Sequence, residues 1–328
     1  PGSLLAAHAA PLLTRLLAGV DGWEARSLDC RVFDALVRRG GAALAPHVAQ
    51  VLAAFSAALD PARGAELRVA VLALLDAFIG DDAATGLEGA ADAAAAAERD
   101  GEGGWGMGGG GLDAALRAVT PALVRDVLVP NCVWRVGRVA STIRKVSLAC
   151  IYTLFRRRLM TPAAAAVAVE AMLPVLKSCL GDDEYATRHA SCLVAGAAFA
   201  LLPGALNEEQ VRDLYPELVK RLDDSNDTVR AAVCAAYVSF AAAAPPAAFR
   251  GAPLEYTVDC LFVHLDDPDG AIQAAALAAL KAFAPIKPSY VVRAAGEARR
   301  RHRSPDLCDE VVAFCEALGG GGGGAGGD

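Results

Sequence analysis

Histidine and cysteine are the side chains of this sequence that could carry out chemistry, and their spacing decides which chemistry is open to them. The five histidines are dispersed, and none lies in an HExxH zinc motif: His8, His47, His189, His264 and His302. His189 and Cys192 are three positions apart, a spacing that places two side chains on one helix face. One interpretation of this pair is therefore a cysteine thiolate activated by the histidine. A thiol packed as a small core residue is the commoner arrangement.

Motifs for phosphate, nucleotide or acyl chemistry are absent from the sequence. It contains no GxxxxGK[ST] loop and no GxSxG elbow. The glycine run GMGGGG at residues 106–111 follows no strand pattern, which a dinucleotide site requires. We therefore expect no cofactor, no metal and no enzymatic activity. An enzyme with a bound metal or cofactor is the third interpretation of the chain, after the two protein-binding interpretations given below.

Composition narrows the class of protein further. Nine cysteines without a CxxC pair, an odd number at irregular spacing, favour buried thiols in a reducing compartment over a disulfide framework. Hydrophobic residues make up 55% of the chain but aromatic residues only 6%. We therefore expect close packing of small side chains to stabilise the core.

The net charge and the first residues of the chain indicate which partners to expect and whether part of the protein is missing. The net charge of −7 makes nucleic acid an unfavourable partner. No apolar run free of charge and proline reaches the ~18 residues of a membrane span, and no signal peptide is visible. Since the chain opens with PGSLL in a helical pattern and has no initiator methionine, we expect that an N-terminal part of the protein is missing.

Pairs of apolar helical faces joined by an acidic turn recur along the chain and would position any functional side chain. In YPELVKRLDDSNDTVRAAVCAAYVSF, residues 215–240, the turn DDSND is rich in helix-capping residues. The apolar stripe comprises Val211, Leu214, Tyr215, Leu218 and Leu222 before the turn, and Val229, Val233, Ala236, Tyr237 and Phe240 after it. This pattern predicts two antiparallel helices that need similar pairs as neighbours.

The pattern repeats with a nearly constant period. Asp223 and Asp266 are 43 positions apart, and the residues early in successive second helices step by 44, 42 and 43: Arg144, Arg188, Arg230 and Gln273. A helix pair with such a period is typical of HEAT or armadillo arrays. We therefore predict an all-α, HEAT/armadillo-type α-solenoid of about six helix pairs with a terminal helical cap.

Four segments are predicted along the chain. Residues 1–80 would form two HEAT-type helix pairs, with a loose repeat. Residues 81–111, which have little apolar periodicity, would be a low-complexity flexible insertion with a short helix at residues 90–99. Residues 112–318 would form four further pairs and the C-terminal capping helices, and residues 319–328 a disordered glycine tail.

The recurring acidic and basic residues are interpreted as structural. We expect each arginine to pair with an aspartate of its own or the neighbouring turn, giving a ladder whose pairs contribute ~0.2–1 kcal/mol each. Asp267 would cap the next helix with Pro268 at the first helical position, and Asp183 would match Asp224. The predicted repeat positions are Asp223, Asp224, Asp266, Asp267, Arg144, Arg188 and Arg230.

Two clusters are candidate protein-binding sites. The first is Trp134, Arg135 and Arg138, in a loop between helices, because exposed tryptophan and arginine are enriched at interfaces. The second is the basic run that includes Arg299, Arg300 and Arg301, which could dock an acidic partner. The alternative for this run is a solvated helix end, where cations interact favourably with the helix dipole.

The chain resembles the HEAT-repeat dynein axonemal assembly factors in four segments: NCVWRVGRVASTIRKVSLACIYTLF, YPELVKRLDDSNDTVRAA, FVHLDDPDGAIQ and RHRSPDLCDE. The resemblance is to their C-terminal repeats and covers residues 112–318, and residues 1–80 are compatible but less distinctive. VWRVGR and HLDDPDGAIQ are more specific than the LDD…VR pattern that HEAT proteins share. Gln273 in place of the usual arginine agrees with the family, whereas the glycine-rich insertion and tail depart from it.

This resemblance implies a cytoplasmic, non-enzymatic scaffold that helps to pre-assemble outer and inner dynein arms for cilia or flagella. The implied partners are axonemal dynein intermediate and heavy chains, other dynein assembly factors and chaperones, with no nucleic acid and no membrane. The alternative is a generic HEAT-repeat adaptor in nuclear transport or phosphatase complex assembly. Composition and periodicity by themselves indicate only a HEAT-type binding scaffold.

Overall fold

The computed structural model describes residues 2–80 and 111–320, in which α-helices and short 3-10 or π-helical segments occur without a strand. Residues 1–190 form one compact unit and residues 191–328 a second. This boundary lies inside a helix and was not predicted from the sequence. The four segments predicted from the sequence do not correspond to these two units, and that division stays a prediction.

The first unit contains seven complete helices in the described residues: α1 Gly2–Ala18, α2 Leu28–Gly40, α3 Val48–Ala58, α4 Ala65–Ile79, α5 Gly111–Ala122, α6 Arg138–Arg156 and α7 Pro162–Leu180. A 3-10 segment, Gly41–His47, precedes α3. Helix α5 continues through Pro121 into a π-helical segment, Leu123–Leu128, and a last turn, Val129–Asn131, so this proline does not break the helix. Helix α8, Tyr185–Ala200, contains the unit boundary.

The second unit contains α9 Glu208–Leu222, α10 Asp227–Ala243, α11 Ala252–His264, α12 Gly270–Phe283, α13 Pro288–Arg299 and α14 Pro305–Gly320. Taken in chain order, the described helices are six successive pairs, α1/α2 to α11/α12, followed by α13 and α14. The predicted all-α solenoid of about six pairs and a terminal cap is therefore confirmed.

Helices of the same kind stack on one another within each unit. In the first unit, first helices pack as α1–α3, α3–α5 and α5–α7, and second helices as α2–α4 and α4–α6. In the second unit, α9–α11–α13 and α10–α12–α14 form the corresponding layers. Two layers of this kind bury the apolar face that a single helix pair would leave exposed.

Aromatic side chains are concentrated in the cores of both units. Ring centroids lie 5.1 Å apart for Trp23 and Phe33, and 5.0 Å apart for Phe33 and Phe55. In the second unit, Phe240 lies 5.1 Å from Phe249 and 5.4 Å from Phe199. The expectation that small side chains stabilise the core is therefore incomplete, because the few aromatic residues bury large areas at the centre of each unit.

The helix phase predicted for residues 211–240 is confirmed. The five stripe residues of α10, Val229 to Phe240, are each at most 1% exposed, and Val211, Leu214, Leu218 and Leu222 of α9 are at most 2% exposed. Tyr215 is half-buried, and its ring lies 5.9 Å from that of Phe249. The acidic turn between the helices thus joins two faces that point into one core.

Capping side chains determine where several helices begin. Asn207 and Gln210 form a capping box at the start of α9, with hydrogen bonds of 3.0 and 2.8 Å. Ser27 and Thr161 accept backbone hydrogen bonds at the starts of α2 and α7. Asparagine, serine and threonine are residue types that commonly cap the first turn of a helix.

Parts of two predicted segments lie outside the described residues. This applies to residues 81–110, including the expected helix at residues 90–99, and to residues 321–328. Gly111, predicted to end the insertion, begins α5, and Gly319 and Gly320, predicted to begin the tail, belong to α14. Both predicted segments therefore extended into helices.

Two helical stretches are long and apolar enough, by length and composition, to cross a membrane. They are residues 28–58 and 162–180, with mean hydropathies of 1.3 and 1.6. The first contains the 3-10 segment with Gly41 at φ 46°, and the second contains Glu170, Pro174 and Lys177. Because core helices pass the same test, these stretches are weak evidence for membrane insertion.

Candidate protein-binding site

A buried aspartate recurs in three successive turns and folds each turn in the same way. Asp182, Asp224 and Asp267 are 3%, 8% and 8% exposed. In each, Oδ1 accepts a hydrogen bond from the backbone amide two residues later: Glu184 at 3.0 Å, Asn226 at 3.1 Å and Asp269 at 2.9 Å. The repeated bond is an Asx turn, which explains why aspartate recurs at this position.

The other carboxylate oxygen of each aspartate binds an arginine. Arg144 Nε lies 2.7 Å from Asp182 Oδ2, with side chains 4% and 0% exposed. Asp267 Oδ2 accepts from Arg230, and Asp224 Oδ2 accepts from Arg221 at 2.8 Å. Arg144 and Arg230 thus reach the turn of the following helix pair. We call these arginine–turn contacts the ladder.

Electrostatics in the ladder follow from these bonds. Burial opposes ionisation of Asp267, but hydrogen bonds from the Asp269 amide and Arg230 outweigh it and lower the pKa of this carboxyl. Arg230 also contacts Asp227 at 2.7 Å, and its pKa is raised, mainly by that hydrogen bond. Arg188 donates to the carbonyl oxygens of Asp182 and Asp183, at 2.9 and 3.0 Å.

Two predicted assignments in the turns are wrong. Asp269, not Asp267, caps α12, since its Oδ1 accepts from Ala271 N at 2.8 Å. Asp182, not Asp183, corresponds to Asp224, because Asp182 is buried and Asp183 is exposed. In a run of adjacent acids, sequence spacing does not show which carboxylate points inward.

The outer acids of the turns have other contacts. Asp223, whose side chain is 80% exposed, lies 3.5 Å from His264 Nε2. Asp266 accepts from the backbone amide of Arg303 at 2.8 Å and from its guanidinium. Burial opposes ionisation of Asp266, but these bonds and one from Ser304 lower its pKa. Asp266 therefore ties the loop between α13 and α14 to the preceding turn.

Sequence reasoning missed Arg221 and also Arg68, which makes a contact of the same kind in the first unit. Arg68 donates to Asn131 Oδ1 at 3.0 Å, and Asn131 Nδ2 donates to the carbonyl oxygens of Leu59 and Val127, both at 2.8 Å. Arg68 is the fourth residue of α4, as Arg230 is of α10, and this position was the available signal. The match between Arg68 and Arg230 is hard to see in the sequence for two reasons. The partner of Arg68 is an asparagine rather than an aspartate, and it lies 63 residues away.

Seven consecutive residues, 133–139, are exposed where a loop leads into the first turn of α6, and we call this segment the Trp134 loop. Four of its large hydrophobic side chains are exposed: Val133 50%, Trp134 49%, Val136 83% and Val139 47%. Single exposed hydrophobic residues are ordinary, but contiguous ones mark interaction surfaces.

Arg144 holds this loop in place. Its Nη1 donates to the Arg135 carbonyl oxygen at 2.8 Å, and its guanidinium carbon lies 6.0 Å from the Trp134 ring centroid. Gly137 has φ 109°, a conformation that side-chain-bearing residues rarely adopt. The buried ladder contact between Arg144 and Asp182 therefore also fixes an exposed apolar loop.

The Trp134 loop carries two positive charges and no negative charge. Arg135 and Arg138 are exposed, and no ion pair joins them to a carboxylate within residues 2–80 and 111–320. Asp183 and Glu184 are exposed in the following turn, beside the inward-facing Asp182. The loop therefore presents two cations next to an acidic neighbour. The structure places Trp134 and Arg135 in the loop but Arg138 at the first position of α6, so the predicted loop position of Arg138 is wrong.

The second predicted cluster is partly occupied by internal contacts. Arg299 forms a bidentate pair with Asp309, at 2.6 and 3.1 Å, which joins α13 to α14. Arg300 Nε lies 3.3 Å from the Gly296 carbonyl oxygen, and Arg301 is exposed. The run thus ends a helix and supports the cap, and its role in binding stays a prediction.

Four cysteine thiols and His189 are in surroundings that disfavour their charged forms. Burial raises the pKa of Cys179 and of Cys234 to about 12, and raises the pKa of Cys132 and Cys150 well above the usual value. His189 is half-buried, and burial lowers its pKa; Cys192 is buried. No cluster of three potential metal ligands occurs among the residues that the structure describes.

The paired helices, stacked layers and ladder define a HEAT/armadillo-type solenoid, and comparison with solved structures agrees. An engineered protein superimposes with a TM-score of 0.53 at 15% identity, covering 80% of this chain and 95% of its own. A designed armadillo repeat protein in complex with a (KR)4 peptide gives 0.51 at 16% identity, covering 80% and 98%. These likenesses show the fold alone, and no family model matches the chain.

Among characterised proteins, the chain is similar to dynein axonemal assembly factor 5. It is 28% identical to the Homo sapiens protein over 314 residues and 25% identical to the Xenopus laevis protein over 320 residues. These alignments cover 95% and 96% of this chain but only 34% and 35% of the relatives. The chain spans about a third of their length, and the resemblance predicted from its motifs is confirmed.

Proposed function

We propose that this chain is a non-enzymatic, protein-binding scaffold for the cytoplasmic pre-assembly of axonemal outer and inner dynein arms, and so serves ciliary or flagellar motility. The observation that carries the proposal is the similarity to dynein axonemal assembly factor 5 over 95% of the chain. The proposed partners are axonemal dynein intermediate and heavy chains, other dynein assembly factors and chaperones.

The construction of the repeats supports a scaffold role. Buried contacts such as Arg144–Asp182 join successive turns, so they hold the surfaces of neighbouring helix pairs in register. Stacked repeats of this kind present extended surfaces for protein binding. The Trp134 loop is the first proposed contact site, and the exposed Arg300 and Arg301 are the second.

Co-precipitation from the cytoplasm of ciliated cells, followed by mass spectrometry, tests this function. We expect recovery of dynein intermediate and heavy chains, together with loss of dynein arms when the gene is deleted. Intact arms after deletion and no recovered dynein chains would contradict the proposal. Strong recovery of a nuclear-transport GTPase or a phosphatase catalytic subunit would instead favour a generic HEAT adaptor.

Surface variants show which site the partners use. Arg300→Glu combined with Arg301→Glu reverses charge at the C-terminal run, and Trp134→Ala removes the anchor of the loop. Tyr256→Ala is the matched control, because Tyr256 is an aromatic residue of α11 that is 55% exposed. We expect at least one of the two site variants to reduce dynein recovery about tenfold, an effect in the range of interface anchors.

A further inference from the structure

We infer that the Trp134 loop binds a short acidic segment of a partner protein that inserts an aliphatic or aromatic anchor residue between the exposed valines and Trp134. This inference deepens the protein-binding role proposed above. It does not depend on the partner being a dynein chain.

The apolar content of the loop supports an anchor residue. Four large hydrophobic side chains that are 47–83% exposed lie within seven residues. Removing such a surface from water is favourable in proportion to its area. Tryptophan is also among the residues that dominate binding energies when partners bury them. The surface is small, so it suits the side chain of a short segment rather than a broad protein face.

Preorganisation supports binding without a large ordering cost. Arg144 is 3% exposed, and it contacts the Arg135 carbonyl oxygen, the Trp134 ring and Asp182. The loop backbone is therefore anchored to a buried ion pair before any partner arrives. A surface that is already ordered loses less conformational entropy on binding.

Charge selects an acidic segment. The guanidinium groups of Arg135 and Arg138 are exposed without carboxylate partners in the described residues, whereas the charge of Arg144 is neutralised by Asp182. Arginine binds carboxylates with paired hydrogen bonds. The exposed Asp183 and Glu184 repel acids from the adjoining turn, so the acidic residues of the segment should lie over Arg135 and Arg138.

A nucleic acid fits this surface less well than a peptide. Three of the four exposed hydrophobic residues are valines, and Trp134 alone could stack on a base. The chain also carries a net charge of −7, which disfavours a polyanion outside a strongly basic patch. The experiment below therefore also measures the binding of a single-stranded oligonucleotide.

Selection from a random peptide library displayed on phage, with the purified full chain as bait, tests the inference. We expect enriched peptides to combine two or more acidic residues with a leucine, phenylalanine or tryptophan. The best peptide, labelled with fluorescein, should bind at least tenfold more weakly to Arg135→Glu and to Val136→Asp. Tyr256→Ala should bind within twofold of the unmodified chain.

Arg135→Glu and Val136→Asp change exposed side chains while keeping the carbonyl that Arg144 binds, so both variants should fold, as circular dichroism can verify. Arg135→Lys should retain part of the affinity. Enrichment of no peptide, enrichment of basic peptides, or equal binding by all variants would overturn the inference. So would tighter binding of a single-stranded oligonucleotide that Arg135→Glu abolishes. Dynein recovery in cells is a separate readout, so failure of one proposal is distinguishable from failure of the other.

Discussion

Arg144 shows how one buried residue can serve both stability and a surface. Its guanidinium binds Asp182 in the next turn and the Arg135 carbonyl oxygen in the Trp134 loop. The Arg38–Asp34 pair, by contrast, lies at the surface, with side chains 52% and 44% exposed. Because water screens exposed pairs and not buried ones, the two pairs should differ greatly in what their loss costs.

Arg144→Ala should lower the free energy of unfolding by about 3–5 kcal/mol, because it leaves the Asp182 carboxylate buried without its cation. Arg38→Ala should cost at most about 0.5 kcal/mol, as expected for an exposed pair spaced four residues apart. Urea unfolding followed by circular dichroism measures both. Equal losses for the two variants would show that the Arg144 pair is not buried in solution.

His264 predicts a specific dependence of stability on pH. It is 6% exposed, and burial lowers its pKa below 6.5, although Asp223 and Asp267 oppose the shift and Arg230 adds to it. Since the unfolded chain binds the proton more readily, the contribution of His264 is complete above pH 6.5. It is lost as pH falls through the lower pKa of the folded state.

Urea midpoints measured from pH 7 to pH 5 should therefore fall, and His264→Gln should reduce that fall. His8→Gln, at an exposed histidine, serves as the control. The carboxylates of Asp266 and Asp267 have pKa values below 3.8, so their contributions are lost at lower pH and do not interfere. An unchanged pH slope in His264→Gln would contradict the assigned environment.

At the scale of the helices, periodicity predicted the elements well because one face of each helix is buried. The α10 stripe from Val229 to Phe240 lies in the core, as its spacing required. Residue types in the turns were less informative. The choice between Asp182 and Asp183 depends on which side chain points towards the ladder, and adjacent positions in a sequence do not encode that direction.

Close helix contacts give a testable difference between two glycines. A Cβ added at Gly196 in α8 would lie 3.2 Å from Ala236 Cα in α10, whereas one added at Gly296 in α13 has nothing within 4 Å. Gly196→Ala should therefore lower stability by about 1–3 kcal/mol through overpacking. Gly296→Ala should raise it by up to about 1 kcal/mol, because alanine favours the helix.

Thermal melting of both variants measures the difference, with circular dichroism to verify the helix content. The two substitutions make the same chemical change at helical positions of the second unit. Opposite changes in stability would therefore reflect only how closely other atoms pack against each glycine. Melting temperatures that shift equally would contradict the close approach of α8 to α10.

At the scale of the whole molecule, stacking continues past the segment at residues 81–110. Helices α4 and α6 pack directly as second helices of consecutive pairs. Arg157 donates to the Ile79 carbonyl oxygen at the end of α4 and contacts Asp113 at 2.8 Å near the start of α5. Both ends of the intervening segment therefore lie within reach of one guanidinium group.

Replacing residues 82–109 with a six-residue Gly/Ser linker should preserve the fold. The sequence predicts that these residues are a flexible insertion, and a shorter flexible connection costs less closure entropy, about 0.6 kcal/mol for each halving, so stability should rise by about 1 kcal/mol. Circular dichroism and urea unfolding measure the outcome, and Arg157→Ala in the same background tests the proposed tether. Loss of cooperative unfolding in the shortened chain would show that residues 82–109 contribute to the core.

The sequence by itself determined the helix-pair architecture, because burial on one face imposes a 3.6-residue period and each pair needs a neighbour like itself. It also placed Trp134 and Arg135 in one loop and indicated the resemblance to the assembly factors. The tertiary structure alone decided which acids face inward, and that Asn131 takes the place of an aspartate opposite Arg68. It also decided that Arg144 anchors the exposed loop from within the core. These features depend on side-chain direction and on contacts between distant residues, and neither is encoded in local spacing.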